Sequence, residues 1–176
     1  MSATPVDYRP AASLTAGNTL IGIIPAVANI KTITIPEANT SVMVQGASEA
    51  FSATTDVSSQ SRKMIGDTIA STKPGTRTYN MADLTIMLGD PQAATNKVLD
   101  LLTLDAELVF WVRPGLKADK SGIAPFAAGQ KYVAIRATVA AVDLRDISTS
   151  DGDEFAVVLK VSVTERTQLF GILAAS

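Results

Sequence analysis

The stretch LTIMLGDPQAATNKVLDLL, residues 84–102, changes its apolar repeat at the Gly-Asp-Pro in its middle. Before that point apolar residues occupy every second position, which is typical of a strand with one buried face. After it they are spaced three and four apart, which predicts a helix over 91–102 with Asp90 as N-cap and Pro91 at the first helical position. So short a helix needs a sheet against which to bury its apolar stripe.

Strand signals dominate the rest of the chain. Residues 1–18 are small, polar and proline-containing, so we interpret them as an N-terminal arm. No linker divides the 176 residues, and we predict a single domain, 1–176. Its predicted fold is mainly β, an antiparallel β-sandwich or barrel with one flanking α-helix. β-branched or alternating apolar residues predict extended segments at 19–24, 30–35, 40–53, 77–89, 107–113, 131–144 and 155–164.

The composition argues against several classes of protein. The chain has no Cys and no His, which excludes disulfides and removes the commonest general base and metal ligand. It also lacks the nucleophile and phosphate-binding motifs of common enzymes. The acidic run at 146–154 has Asp151 at the position where a calcium loop requires glycine, so a solvated turn explains it better. We therefore predict no catalytic activity, no cofactor and no metal site.

Charge and hydropathy limit the partners. The net charge is -2 and aromatic residues make up 5% of the chain, so the sequence does not indicate a surface that binds nucleic acid for affinity. The N-terminus does not resemble a signal peptide. The most apolar stretch, 20–35, is interrupted by Pro25, Asn29 and Lys31. We therefore expect no membrane association.

The segment 54–76 is rich in Ser and Thr, has neither repeat, and ends in a Pro-Gly turn signal. Two interpretations remain open: a weakly structured docking loop, or an exposed hairpin without a partner. An apolar C-terminal tail, residues 165–176, favours docking, because a monomer has little reason to expose apolar side chains at a free end. The candidate docking residues are Ser61, Arg62, Lys63, Met64 and Ile65 in the segment, and Phe170, Ile172 and Leu173 in the tail.

The order of elements over 40–164 resembles the major tail tube protein of long-tailed bacteriophages, whose fold is shared with the tube proteins of contractile injection systems. The residues that carry the resemblance are YNMADLTIMLGD at 79–90, PQAATNKVLDLL at 91–102, AELVFWVRPG at 106–115, KYVAIRATVAAVDL at 131–144 and EFAVVLKVSVTER at 154–166.

The resemblance implies a structural virion protein of the tail that assembles in the host cytoplasm. Such proteins form rings, commonly of six subunits, that stack into a hollow tube for DNA. The implied partners are other copies of the chain, the tape measure protein and the tail terminator, with double-stranded DNA passing through the lumen without specific binding. Residues 54–76 would be an inter-ring stacking loop, and 165–176 a C-terminal contact tail.

Strand alternation then predicts which side chains face the lumen. The candidates are Asp83, Thr85, Tyr132 and Arg136. Two alternatives to the tube remain: a capsid decoration or head-completion protein, and a small β-sandwich binding module. An enzyme is the weakest of the interpretations.

Overall fold

The computed structural model describes residues 19–48, 50–62, 71–88, 97–116, 118–119, 122–145 and 155–175. Its elements, in chain order, are β1 Thr19–Ile24, α1 Ile35–Asn39, β2 Val42–Met43, β3 Ala53–Arg62, β4 Ser71–Met81, β5 Leu84–Met87, α2 Lys97–Leu101, β6 Glu107–Pro114, β7 Ala118–Asp119, β8 Gly122–Ile123, β9 Lys131–Leu144, β10 Ala156–Arg166 and β11 Gly171–Ile172.

One large sheet forms the body of the molecule, with strand order β2-β1-β6-β9-β10-β5 and β11 paired with the start of β9. The pairs are antiparallel, and the sheet curls into a half-barrel. The prediction of a mainly antiparallel β fold is confirmed. The long apolar strands lie at its centre because β6 and β9 must be buried on both faces.

The first face of the sheet packs against α2 and the chain around Phe51. Its buried centre includes Phe110, which pairs with Ile23 on one side and Ile135 on the other. Val98 and Leu101 of α2 pack against this cluster, as the helical spacing predicted. The proposed cap, Asp90, and Pro91 lie outside the described residues. The buried side chains of this face are Ile23, Val44, Leu84, Ile86, Leu102, Leu108, Phe110, Ala137, Val139, Val157 and Leu159.

The second face is covered by residues 25–38 at the β1–β6–β9 end of the sheet. Trp111 and Tyr132 are fully buried there and meet edge to face, with ring centroids 5.9 Å apart. The Tyr132 hydroxyl donates a hydrogen bond to the Ile30 carbonyl (2.9 Å) and accepts one from the Ile33 N–H (2.7 Å). One side chain of the sheet therefore fixes the covering segment at two backbone positions.

The prediction of an extended segment over 30–35 is wrong, because a turn and then α1 occupy this region. Thr34 is the N-cap of α1, Pro36 lies in its first turn, and Glu37 completes a capping box. These signals outweigh the strand preference of the isoleucines. The structure thus contains two helices, whereas the sequence analysis predicted a single helix.

The Glu37 carboxylate also ties the covering segment together. It accepts hydrogen bonds from the Ala28 N–H (2.9 Å) and the Thr34 N–H (2.8 Å). Partial burial by itself raises the pKa of Glu37, but the hydrogen bonds from Ala28 and Thr34 outweigh it and hold the pKa below its ordinary value of 4.5. The carboxylate therefore stabilises the fold above pH 4.5, and that contribution is lost as the pH falls through the lower folded-state pKa.

We expect Glu37→Gln to lower the free energy of unfolding by roughly 1 kcal/mol at neutral pH, because an amide cannot accept both backbone bonds. The loss should shrink on acidification, since the native carboxylate is then protonated as well. Thermal melts from neutral pH to about pH 3 measure this. Asp100→Asn, at an exposed carboxylate of α2, is the control. An equal loss at every pH would contradict the role given to the charge.

Arg113 is the charged side chain that is fully buried among the described residues. Its guanidinium lies over Phe126 (4.5 Å to the ring centroid) and Trp111 (5.4 Å). It donates to the Pro125 carbonyl (3.3 Å) and to Gln130 Oε1. Burial lowers the pKa of Arg113 to about 10. The side chain thereby holds the loop before β9 against the sheet.

Strands β3 and β4 pair with each other in a sheet of their own. Of the two interpretations of 54–76, the hairpin agrees with the structure, because 54–62 and 71–76 are paired strands. The alternation signal is missing because this hairpin has no buried face: residues 54–61 are all exposed. A repeat of two arises only where one face of a strand is buried.

Candidate assembly surfaces

The β3–β4 hairpin projects a long pair of strand edges from the body. Each strand has at least ten residues, about 33 Å at the usual rise. In the described part of the chain, neither outer edge takes part in a ladder. The docking candidates Ser61 and Arg62 pair with Thr72 and Ser71 at its far end. Lys63, Met64 and Ile65 lie outside the described residues.

The hairpin is attached to the body near its base. Arg166 of β10 donates a hydrogen bond to Thr55 Oγ1 (2.8 Å). Within the hairpin, Asn80 donates to Asp56 Oδ2 (2.6 Å). A groove of about 340 Å³ separates β4 from β10 and is lined by 78–81 and 161–163. The base is therefore fixed, while the remainder extends beyond the main sheet.

A bulge divides the hairpin into a fixed and a distal half. The register shifts between Val57 and Ser59, so that Gly75 and Thr76 lie opposite Ser58 alone. A Cβ atom on Gly75 would lie 2.4 Å from Ser58 Oγ, so only glycine fits here without a shift. Pro74, which precedes Gly75, has no backbone N–H that could donate a hydrogen bond to a neighbouring strand. Bulges of this kind bend a strand and increase its twist, so the distal half points in a direction set at this position.

Two of the lumen candidates lie on an exposed polar part of the sheet. Thr85 of β5 pairs with Val158, which in turn pairs with Asp143 of β9. Lys160 Nζ lies 2.7 Å from Asp143 Oδ2. The hydrogen bond and charge of Asp143, with a smaller contribution from Asp83, raise the pKa of Lys160. Asp83 and Thr85 thus border a charged cluster that alternation did not single out.

Arg136 lies farther along the sheet, in a second polar cluster. Its guanidinium contacts Glu107 (3.2 Å) and Glu165 (3.6 Å) and donates to the Val27 carbonyl (2.9 Å). Glu165 is seven residues beyond Val158 along β10, roughly 23 Å. The structure therefore places Arg136 near one end of this surface and Thr85 near the other.

Tyr132 does not reach an open surface. Alternation puts it on the same face as Arg136, but its side chain has no exposed area because residues 25–38 cover that end of the face. The assignment of Tyr132 to a lumen is therefore corrected. A strand repeat tells which residues share a face; it does not tell whether another part of the chain covers them.

The C-terminal candidates divide into exposed and buried residues. Phe170 and Ile172 are 45% and 54% exposed, and Leu169, which the sequence did not single out, is 73% exposed. Leu173 is buried in the cluster around Tyr132, and its N–H donates to the Gln130 carbonyl (2.9 Å). Leu173 is therefore part of the core, and its assignment as a subunit contact is corrected.

Two negative findings apply to the described ranges only. No helix there is long and apolar enough to cross a membrane. No group of three or more Asp, Glu, His or Cys side chains there could hold a metal ion.

Comparison with known proteins identifies the family. No curated protein matches the sequence. One similar solved structure is a chain from the cryo-EM structure of the anti-feeding prophage baseplate, 6-fold symmetrised, with 13% identity, coverage of 97% of this chain and 99% of that chain, and a TM-score of 0.44. A family model described as "Phage tail tube protein" matches residues 7–176. The chain therefore belongs to the phage tail tube protein family.

Proposed function

We propose that copies of this chain form rings, six subunits to a ring as the resemblance implies, and that the rings stack into a hollow tail tube through which double-stranded DNA passes. The family gives the structural role in a phage tail. The ring, the stack and the passage of DNA are the proposal. Tape measure and terminator proteins are the partners we expect at the bore and at the end of such a tube.

The β3–β4 hairpin carries this proposal. A two-stranded ribbon with no buried face is marginally stable in water by itself, and its open edges favour pairing with another chain. Its strands have 10 and 11 residues, so these open edges are long. Contact with the next ring would cover this surface. Residues 61–65, of which 61 and 62 end β3, are the segment we assign to that contact.

The polar surface along β5, β10 and β9 is the proposed lining of the lumen. Asp83, Thr85 and Arg136 remain its candidates, now joined by Asp143 and Lys160. Both basic residues are held by carboxylates of the same subunit. A lining whose cations are already paired would release few counterions on meeting phosphates, so DNA could slide without being held.

Negative-stain microscopy of the purified chain tests the proposal. We expect hollow rings or tubes with a uniform bore, and sedimentation that shifts to large species as concentration rises. Closed shells around capsids would instead favour a decoration protein. A single monomeric species at millimolar concentration would contradict the tube, because many weak repeated contacts should saturate there.

A further inference from the structure

Exposed apolar side chains gather at the two ends of β9. At its start, Leu169, Phe170 and Ile172 form a group that we call the knob. At its finish, Leu144 and Phe155 are 57% and 48% exposed, and we call them the far patch. Thirteen residue steps along β9 separate the two, about 43 Å. The knob and the far patch of one subunit are therefore too far apart along β9 to contact each other.

The knob is held rigidly by its neighbours. Before it, the buried Thr167 hydroxyl accepts from the Ala134 N–H (3.1 Å) and lies 3.3 Å from the Ala134 carbonyl. Within it, Gly171 packs so closely on Tyr132 that a Cβ would lie 2.4 Å from the ring. After it, Leu173 is buried. The exposed side chains are thus presented in a fixed arrangement, which lowers the entropy lost on binding.

Basic charge accompanies the knob. Lys131 Nζ lies 5.8 Å from the centre of the Phe170 ring. Lys31 lines a cleft of about 360 Å³ beside Leu169 and Phe170. This volume is ample for one aromatic side chain. The knob therefore combines an apolar surface, a cleft and two positive charges.

Acidic charge accompanies the far patch. Leu144 ends β9 and Phe155 immediately precedes β10. The connecting sequence, 145–154, carries four carboxylates against one basic residue, Arg145, a net charge of -3. Chain connectivity alone therefore brings acidic charge to this end of the two strands. The basic side chains beside the knob and the acidic connection beside the far patch are therefore complementary in charge.

We propose that the knob of one subunit binds the far patch of a second copy, with Phe155 of that copy in the cleft beside Phe170. Such a contact is heterologous, joining different surfaces of identical chains, so it repeats from copy to copy. The inference rests on the proposed function, since it names one of the contacts that would build the tube.

The absence of cysteine from the chain allows a direct test. Leu169→Cys and Phe155→Cys are each made in the full chain and treated with a short bismaleimide cross-linker under assembly conditions. We expect neither variant alone to cross-link, their mixture to give a dimer, and the double variant to give a ladder. Leu104→Cys, at a residue 66% exposed beside the middle of β9, is the control and should give no dimer with either.

The outcomes separate this contact from the tube itself. A dimer from Leu169→Cys alone would indicate a symmetric contact and overturn the inference. Tubes in the microscope without a ladder from the double variant would overturn it as well, while leaving the proposed function standing. A ladder without tubes would support the contact and count against the proposed function.

Discussion

Tyr132→Phe should lower the free energy of unfolding of the subunit by about 2–3 kcal/mol, a large effect for the loss of one oxygen atom. The hydroxyl donates a hydrogen bond to the Ile30 carbonyl and accepts one from the Ile33 N–H, both in the segment that covers the second face of the sheet. Without it, a buried donor and a buried acceptor would each lack a partner, at a cost of about 1–3 kcal/mol apiece before relaxation. Tyr132→Ala removes the ring as well and should cost about 5 kcal/mol.

Urea unfolding at a concentration too low for assembly measures these losses. Tyr79→Phe, at a half-buried tyrosine of the hairpin, is the matched control and should change the free energy of unfolding by less than about 0.5 kcal/mol. If Tyr132→Phe were as mild as Tyr79→Phe, the covering segment would be held by apolar packing alone. The role assigned to the hydroxyl would then be wrong.

Deleting residues 59–74 should abolish tube formation and leave a folded subunit. The deletion removes the distal half of the hairpin and leaves Ser58, Gly75 and Thr76 as a three-residue loop between the paired Val57 and Arg77. Such loops with glycine are common in hairpins. The contacts of the base, from Arg166 to Thr55 and from Asn80 to Asp56, lie outside the deleted range. We therefore expect the melting temperature to change little.

Electron microscopy and sedimentation measure the effect on assembly. At concentrations where the full chain forms tubes, the shortened chain should remain as single subunits or single rings, a complete loss of long species. Leu104→Ser in the full-length chain is the control, because this exposed residue lies outside the hairpin and outside the proposed contacts, and it should still form long tubes. Long tubes from the shortened chain would show that the distal half is not the inter-ring contact.

Strands with at least one buried face were predictable from the sequence, and those without one were largely not. The alternation at 131–144 and the apolar run at 107–113 correspond closely to β9 and β6. Residues 54–61 of the hairpin gave no such signal, since they are exposed on both faces. Within the hairpin, 77–81 of β4 did fall in a predicted segment. The first helix was missed although Thr34 and Glu37 have the spacing of a capping box, which was readable in the sequence.

The candidate surfaces were harder to predict than the strands. Alternation placed Tyr132 and Arg136 on one face, but the segment that buries Tyr132 is about 100 residues away in sequence. The apolar tail was noticed, yet its pattern could not separate the buried Leu173 from the exposed Ile172. Burial of this kind depends on tertiary contacts, which no local repeat records.

The bulge at Ser58 gives the hairpin an adjustable length. The contacts that anchor the base lie between the bulge and the body. Two residues added to each strand beyond the bulge would therefore leave every side chain on the same face of the hairpin. Such an insertion would extend the tip by about 6.6 Å without altering the body. In the proposed tube, a change confined to this short region would therefore reset the axial repeat and leave the width of the bore unchanged.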